Sequence, residues 1–387
     1  MFSERTNWNL DANRLSAALA RHRAAGKPLL DLTASNPTEC GFKYDGRAIL
    51  QALANPAALD YLPDAKGLRS AREAVAGYYA ARGDAAPVDD IILTTSTSEA
   101  YSFVFRTLCT AGDEILIPEP SYPLFAFLAD IQDVVLVRYP LVYDYGWQIN
   151  FAALERAITG GTRAVIVVHP NNPTGNFVQA QEIEKLNSIC AARGMAIIAD
   201  EVFLDFGLPS AEKVRFSFAG NAGALTFTMS GLSKISGLPQ MKAAWLIASG
   251  PEKLRVAALA RLEVIADTYL SMNAPVQLAM AAFLEQRHGF QKQLLARVQR
   301  NLAELDRQLA LQKACARLVV EGGWYVVLRV PATRGDEELA IELLERAGVY
   351  VHPGHFYDFP ADGFLVLSLI TREEEFRAGV GAMLAVF

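Results

Sequence analysis

From residue 91 to residue 247 the chain repeats one pattern: a short apolar run without polar alternation, then a stretch long enough for a helix. The runs are Ile91-Ile-Leu-Thr94, Glu114-Ile-Leu-Ile117, 134–138, Arg163-Ala-Val-Ile-Val-Val168, Ala196-Ile-Ile-Ala199, 224–229 and 243–247. A strand with one face in water alternates; a strand covered on both faces does not. Between the runs, helices are expected over 99–110, 122–130, 151–158 and 180–193. The pattern therefore predicts an α/β fold with a mostly parallel, seven-stranded-type sheet between helices.

The flanks read differently. A helix is expected over 11–23 and a short apolar element over 29–32. After Gly250 the chain is mainly helical, and Leu294, Val298, Leu302, Leu305 and Leu309 recur at four, four, three and four. That is one stripe of a long amphipathic helix, expected to span 275–309. Shorter strands follow at 318–320, 324–330, 349–351 and 364–369, with helices at 336–347 and at the end. They predict a second, smaller α/β unit.

Composition excludes some partners. At 52% hydrophobic and 20% charged, the chain can fill a core, and its net charge of −6 with no basic helical face argues against nucleic acid or anionic membrane. Cys40, Cys109, Cys190 and Cys315 are widely spaced and form no CxxC, as free thiols in the cytoplasm would. Met1-Phe-Ser-Glu-Arg5 carries charge where a signal peptide is apolar. The uncharged stretch 216–233 is interrupted by Ser, Gly and Asn, so it reads as a loop entering a buried strand. His352 and His355 flank a Pro-Gly turn without ligand spacing, and no metal site is expected.

Five stretches carry chemistry, and each follows an apolar run. Ser230-Gly-Leu-Ser-Lys234 places an amine at the end of a buried strand, where a lysine can lose its proton and act as a nucleophile. Leu93-Thr-Thr-Ser-Thr-Ser-Glu99 opens a helix; Ser96, Thr97 and Ser98 could cradle a phosphate, or simply cap the helix. In Pro118-Glu-Pro-Ser-Tyr-Pro123 the prolines direct Tyr122, which could stack on a flat ring or merely pack the loop. In His169-Pro-Asn-Asn-Pro-Thr-Gly175 the turn aims the Asn172 amide. Ala196-Ile-Ile-Ala-Asp-Glu201 ends on two acids that face opposite ways, so only Asp200 or Glu201 can line a given site. A buried aspartate needs a cationic partner, such as a protonated pyridine nitrogen. Phosphate donors, stacking ring, amide, acid and amine together suit one small molecule, pyridoxal 5′-phosphate.

The order Tyr61…Gly67-Leu-Arg69, Ser121-Tyr-Pro123, Asn172-Pro-Thr-Gly175, Asp200-Glu201, Ser233-Lys234…Gly237, Gly322-Gly-Trp-Tyr325 and Pro353-Gly-His-Phe356 resembles the class I/II aminotransferases of PLP fold type I. The resemblance implies a Schiff base on Lys234, a cofactor held by Ser96, Thr97, Ser98, Tyr122, Asn172, Asp200, Ser230, Ser233 and Lys242, and substrate contacts from Asn36 and Trp324. It implies a large domain at 45–282 and a small domain built from 1–44 and 283–387. It also implies a homodimer in which Tyr61 reaches the neighbouring cofactor.

Three departures stand out against that family. Lys242 replaces an arginine that forks onto the phosphate, and Gly231 replaces a serine. Phe203 replaces a tyrosine that bonds the ring hydroxyl. Val366-Leu-Ser368 lacks the arginine that clamps the substrate carboxylate, and Arg372 lies beyond the strand. Transfer of an amino group from an amino acid to a 2-oxo acid is the expected activity. A β-eliminating lyase of the same fold and a non-catalytic PLP-binding module are the alternatives. Trp324, Tyr325, Phe42 and Tyr269 suggest an apolar or aromatic side-chain pocket.

Overall fold

The computed structural model describes residues 1–209, 216–270 and 272–387. In chain order the strands are β1 (Leu30–Asp31), β2 (Ile91–Thr94), β3 (Glu114–Glu119), β4 (Val135–Tyr143), β5 (Trp147–Ile149), β6 (Thr162–Val168) and β7 (Ala196–Asp200). They continue with β8 (Thr226–Gly231), β9 (Ala244–Ser249), β10 (Ala316–Arg317), β11 (Tyr325–Arg329), β12 (Val349–Tyr350), β13 (His352–Pro353) and β14 (Phe364–Ser368).

Eight of them form one sheet in the order β2-β9-β8-β7-β6-β3-β4-β5. β8, β7, β6, β3 and β4 are parallel neighbours, while β9 runs antiparallel between β2 and β8. Seven of the eight are the apolar runs. The extra strand, β5, is three residues long and pairs with β4 by a fold-back through Asp144-Tyr145-Gly146. Its burial alternates, so it carries none of the uninterrupted apolar signal that marks the others.

Successive strand residues feed two cores. Ile166, Ile198, Phe227 and Met229 pack toward helices Thr97–Leu108, Phe125–Ile131 and Glu252–Tyr269, whereas Val165, Val167, Ile197 and Ala199 pack the other way. Each fully buried side chain of this kind contributes roughly 1.5–3 kcal/mol of transfer free energy. The strand ends are thus a stiff platform.

Helix starts shift where a cap or a proline decides them. Asn13 accepts from the Ser16 N–H at 2.7 Å, so the first helix is Arg14–Ala24. The helix expected from 122 begins at Phe125, because the residue before a proline, here Tyr122 before Pro123, avoids the helical region. Tyr122 is left in a loop. The long helix expected over 275–309 is a succession of Ala274–Leu278, Met280–Glu285 and Arg287–Leu309. Ala279 and Gln286 stay right-handed between the pieces, which bends the path without breaking it.

A second, four-stranded antiparallel sheet has the order β10-β11-β14-β13. β1 pairs in parallel with β12, Leu30 opposite Val349, bringing the two ends of the chain together. Among the described residues no helix is long and apolar enough to cross a membrane.

Candidate active site

Loops after β2, β3, β6, β7 and β8 converge at the carboxyl edge of the large sheet, beside the place where β9 interrupts its parallel run. Such an edge is where open α/β sheets place ligands. A cavity of about 280 Å³ opens there, and Ser96, Thr97, Ser98, Tyr122, Asn172, Asp200, Ser233 and Lys234 are all on its wall. Residues separated by more than a hundred positions in sequence are thus brought together.

Lys234 sits on the one-turn helix Leu232–Ile235 that follows β8. Its far end is fixed: Gln291 Nε2 donates to the Ile235 carbonyl at 2.9 Å, and Tyr44 Oη donates to the Gly237 carbonyl at 3.0 Å. Gly237 has φ +64°, and a Cβ there would lie 2.5 Å from the Phe290 ring, so a side chain is excluded. The Lys234 Nζ lies 4.8 Å from the centroid of Trp324 and 5.6 Å from that of Phe203. Burial lowers its pKa to about 8, with the charge of Asp200 pulling the other way. A lysine so placed is ready to give up its proton near neutrality.

Asp200 ends β7. Tyr101 Oη donates to its Oδ2 at 3.0 Å and the Val202 N–H to its Oδ1 at 3.1 Å. Burial raises this carboxyl to about 6, opposed by those two bonds and by Lys234. Glu201 points to the other side, where it accepts from Ser217 Oγ and the Phe218 N–H, each at 2.6 Å. Burial pushes it up to about 8, and its work is to hold the loop that leads into β8. The alternation of faces along a strand separates the two acids, as expected.

Asn172 belongs to a turn laced by side chains. Asn171 Nδ2 donates to Thr174 Oγ1 at 2.7 Å, and Thr174 Oγ1 to Asn176 Oδ1 at 2.5 Å. Within this web Asn172 itself is buried with its Oδ1 unpartnered, at the cavity wall. A buried amide oxygen without a partner is costly unless a ligand group completes it. At the opposite wall Ser96 caps helix Thr97–Leu108 by accepting from the Glu99 N–H at 3.1 Å. The first N–H groups of that helix have no intrahelical partner and favour an anion. Amine, carboxylate, open amide and helix N-terminus on one cavity fit pyridoxal 5′-phosphate.

Five expected contacts are not on that wall. Ser230 is buried beneath it, with its Oγ bonded to the Glu201 carbonyl at 3.3 Å. Lys242 is exposed, at φ +51° after the turn Pro239–Met241, and is not on the cavity wall. Tyr61 is exposed and lines a separate apolar hollow with Leu62, Leu68, Leu270 and Met272. Asn36 is exposed, its Oδ1 accepting from the Thr38 N–H and hydroxyl at 3.1 and 2.8 Å. Trp324 is fully buried among Phe203, Phe206 and Phe290, with its ring beneath the Lys234 amine.

For the last two, the adjacent residue takes the place. Ser35 and Tyr325 are on the cavity wall. Gly323, at φ +85°, turns the chain just before β11. Tyr101 was also unforeseen. A tyrosine on the apolar face of a helix needs a partner for its hydroxyl, and that was the available sign.

Gly231 stands three before the lysine, and the structure explains why no serine occupies it. A Cβ there would lie 2.8 Å from the Cβ of Ala244 and 2.9 Å from the Ala243 carbonyl oxygen. Gly231→Ser is expected to cost about 1–3 kcal/mol of stability by overpacking, and not to tighten cofactor binding. Thermal melts and a cofactor titration of the variant check this; a tighter complex with an unchanged melt would contradict it.

Residues 27–378 match the family described as aminotransferase class I and II. Among curated proteins the chain is 28% identical over 357 residues to the glutamate-pyruvate aminotransferase AlaA of Haemophilus influenzae, covering 89% of this chain and 87% of that one. It is 29% identical over 378 residues to the alanine aminotransferase of Mycobacterium bovis, covering 93% and 86%. Among solved structures, alanine aminotransferase from Pyrococcus furiosus superposes with a TM-score of 0.89 at 21% identity, covering 100% of this chain and 99% of that one. At that identity the superposition speaks for the fold alone.

Proposed function

The chain belongs to the class I and II aminotransferases, pyridoxal 5′-phosphate enzymes that transfer amino groups, and from that premise we propose that its donor is an amino acid with a small neutral side chain, alanine first, and its acceptor a 2-oxo acid. The observation that carries the reading is the pairing of Lys234 and Asp200 in one cavity at the sheet edge. When bound, the cofactor supplies an aldehyde and an electron-withdrawing ring.

The residues divide the remaining work. Asp200, fixed by Tyr101 and Val202, would keep the ring nitrogen protonated. The N–H groups opening helix Thr97–Leu108, with Ser96, Thr97, Ser98 and Ser233, would bind the phosphate. Asn172 would bond the ring hydroxyl and Tyr122 would cover the ring. Lys234 Nζ would take the proton from the donor Cα and return it to the neighbouring carbon. The choice of a neutral side chain rests on the wall of the cavity, whose charged members are Asp200 and Lys234. The name of the Mycobacterium bovis relative, alanine aminotransferase, supports alanine.

Further parts of the reading concern organisation. A large domain at 45–282 and a small one from 1–44 and 283–387 accord with the pairing of β1 and β12. A homodimer accords with the exposure of Leu59, Tyr61, Leu62 and Leu270, and would carry Tyr61 to the neighbouring cofactor. The four free cysteines accord with a cytoplasmic protein.

Mixing the PLP form with L-alanine tests the function. The expected result is stoichiometric pyruvate with conversion of the cofactor to its pyridoxamine form. With L-cysteine in place of L-alanine, pyruvate, ammonia and sulfide released with the cofactor unchanged would point to elimination instead, and no reaction with any amino acid would overturn the reading.

A further inference from the structure

The cavity that holds Lys234 and Asp200 has no guanidinium or imidazole on its wall among the described residues. Lys234, its one cation, is committed to amine chemistry. A donor carboxylate brought inside must still be hydrogen-bonded, since a buried anion without partners is prohibitively costly.

The second sheet supplies the answer. Tyr325 lies opposite Ser368, Val327 opposite Val366, and Val366 opposite His352. Directly paired residues, and those two apart, share a face. Tyr325, Val327, Val366, Ser368 and His352 therefore form the face that Tyr325 shows to the cavity. Val366 is buried in the apolar core. His352 is engaged, its Nδ1 3.0 Å from Tyr357 Oη, and burial keeps it neutral with a pKa near 4. Arg329, further along the same face, is exposed against the rings of Tyr143 and Phe364.

The arginines behind the adjoining loop are also committed. Arg297 donates to the carbonyls of Cys40, Ile370 and Thr371 and pairs with Glu373. Arg372 donates to the Glu39 carbonyl at 3.2 Å.

On this side of the cavity two hydroxyl residues stand on the wall, Ser35 and Tyr325. Burial raises the pKa of the Tyr325 hydroxyl, and the neighbouring Ser35 side chain opposes that rise. Both are held in place. Ser368 donates from its N–H to the Leu32 carbonyl at 2.7 Å and from its Oγ to the Ala34 carbonyl, which fixes the loop carrying Ser35. Tyr325 is held by the rings of Phe203 and Tyr357.

We propose that Ser35 and Tyr325 receive the donor carboxylate through their hydroxyl groups, in place of an arginine clamp. This rests on the donor being an amino acid, as above. Each hydroxyl carries one hydrogen that can point at a carboxylate oxygen. Side by side on the wall, the two can supply two donors. A receptor of neutral donors prefers a carboxylate over an uncharged acceptor only modestly, because a hydrogen bond to an anion exceeds one to a neutral oxygen by about one decade in affinity.

The test compares L-alanine, L-alaninamide and ethylamine as donors to the PLP form of wild type, Tyr325→Phe and Ser35→Ala. In wild type, kcat/KM for L-alaninamide is expected within about tenfold of that for L-alanine. Tyr325→Phe and Ser35→Ala are expected to raise KM for L-alanine by about 10- to 100-fold, with kcat little changed and the slow reaction of ethylamine unaffected. A wild-type preference for L-alanine over the amide of a thousandfold or more would reveal a cation and overturn the proposal. So would an unchanged KM for L-alanine in both variants, or an equal loss with ethylamine. Ser35 is exposed, so its truncation leaves the fold intact and keeps the test valid if Tyr325→Phe is unstable. Pyridoxamine formation by wild type with any amino acid upholds the aminotransferase reading independently of these ratios.

Discussion

Lys234→Ala is expected to lower transamination by at least about 10⁴-fold, the upper range for loss of a positioned acid–base group. The residue combines two duties, nucleophilic amine and proton carrier, and no neighbour can assume either. Among the described residues on the cavity wall it is the one amine. Its environment is also particular. An ordinary lysine titrates near 10.4 and is protonated at neutral pH, whereas burial brings Lys234 to about 8. Lys234→Arg is a useful companion, because it keeps a cation that cannot lose its proton. It should be as inactive as the alanine variant. Borohydride treatment of wild type should fix a pyridoxyl group on the peptide containing Lys234 and leave both variants unlabelled at that position. Turnover by either variant within tenfold of wild type would remove Lys234 from the chemistry.

The second large effect is expected at Asp200. Asp200→Asn keeps the shape and can keep contact with Tyr101 and the Val202 N–H, yet it removes the negative charge. Loss of one preorganised electrostatic partner at a reacting centre costs about 10²–10³ in kcat. KM should move far less, and borohydride labelling of Lys234 should persist, because the carboxylate acts on the ring and not on attachment. Tyr101→Phe, which removes one hydrogen bond and retains the charge, should cost much less than the loss of the charge itself. Steady-state kinetics of the three proteins separate charge from position. An Asp200→Asn enzyme with kcat within a few-fold of wild type would show that the ring nitrogen needs no anion here.

Much of this architecture is written in residue patterns, and the reasons for the exceptions are local. Strands buried on both faces cannot hide, so seven of the eight large-sheet strands read directly as apolar runs. β5 escapes notice because three residues at an edge follow no long-range apolar rule. In the site, Lys234, Asp200 and Asn172 stand at strand ends, where topology alone sends them to one edge. Asn36 and Trp324 miss by a single position. Facing in a strand has period two, so a shift of one residue exchanges the face, and the turn at Gly323 stands just ahead of Tyr325. Asn36 is spent on its own turn with Thr38. Lys242 lies off the wall for a different reason: charge type can be read from sequence, but the left-handed backbone at that residue cannot.

The pairing of Leu30 with Val349 also has a biosynthetic consequence. On the ribosome the early segment emerges with its backbone partner still unmade, and the large sheet can close long before that partner exists. Until Val349 and Tyr350 have emerged, the Leu30–Asp31 edge stays open to chaperones or to neighbouring nascent chains. Premature termination would therefore damage both ends of the polypeptide at once, not merely the end that was lost.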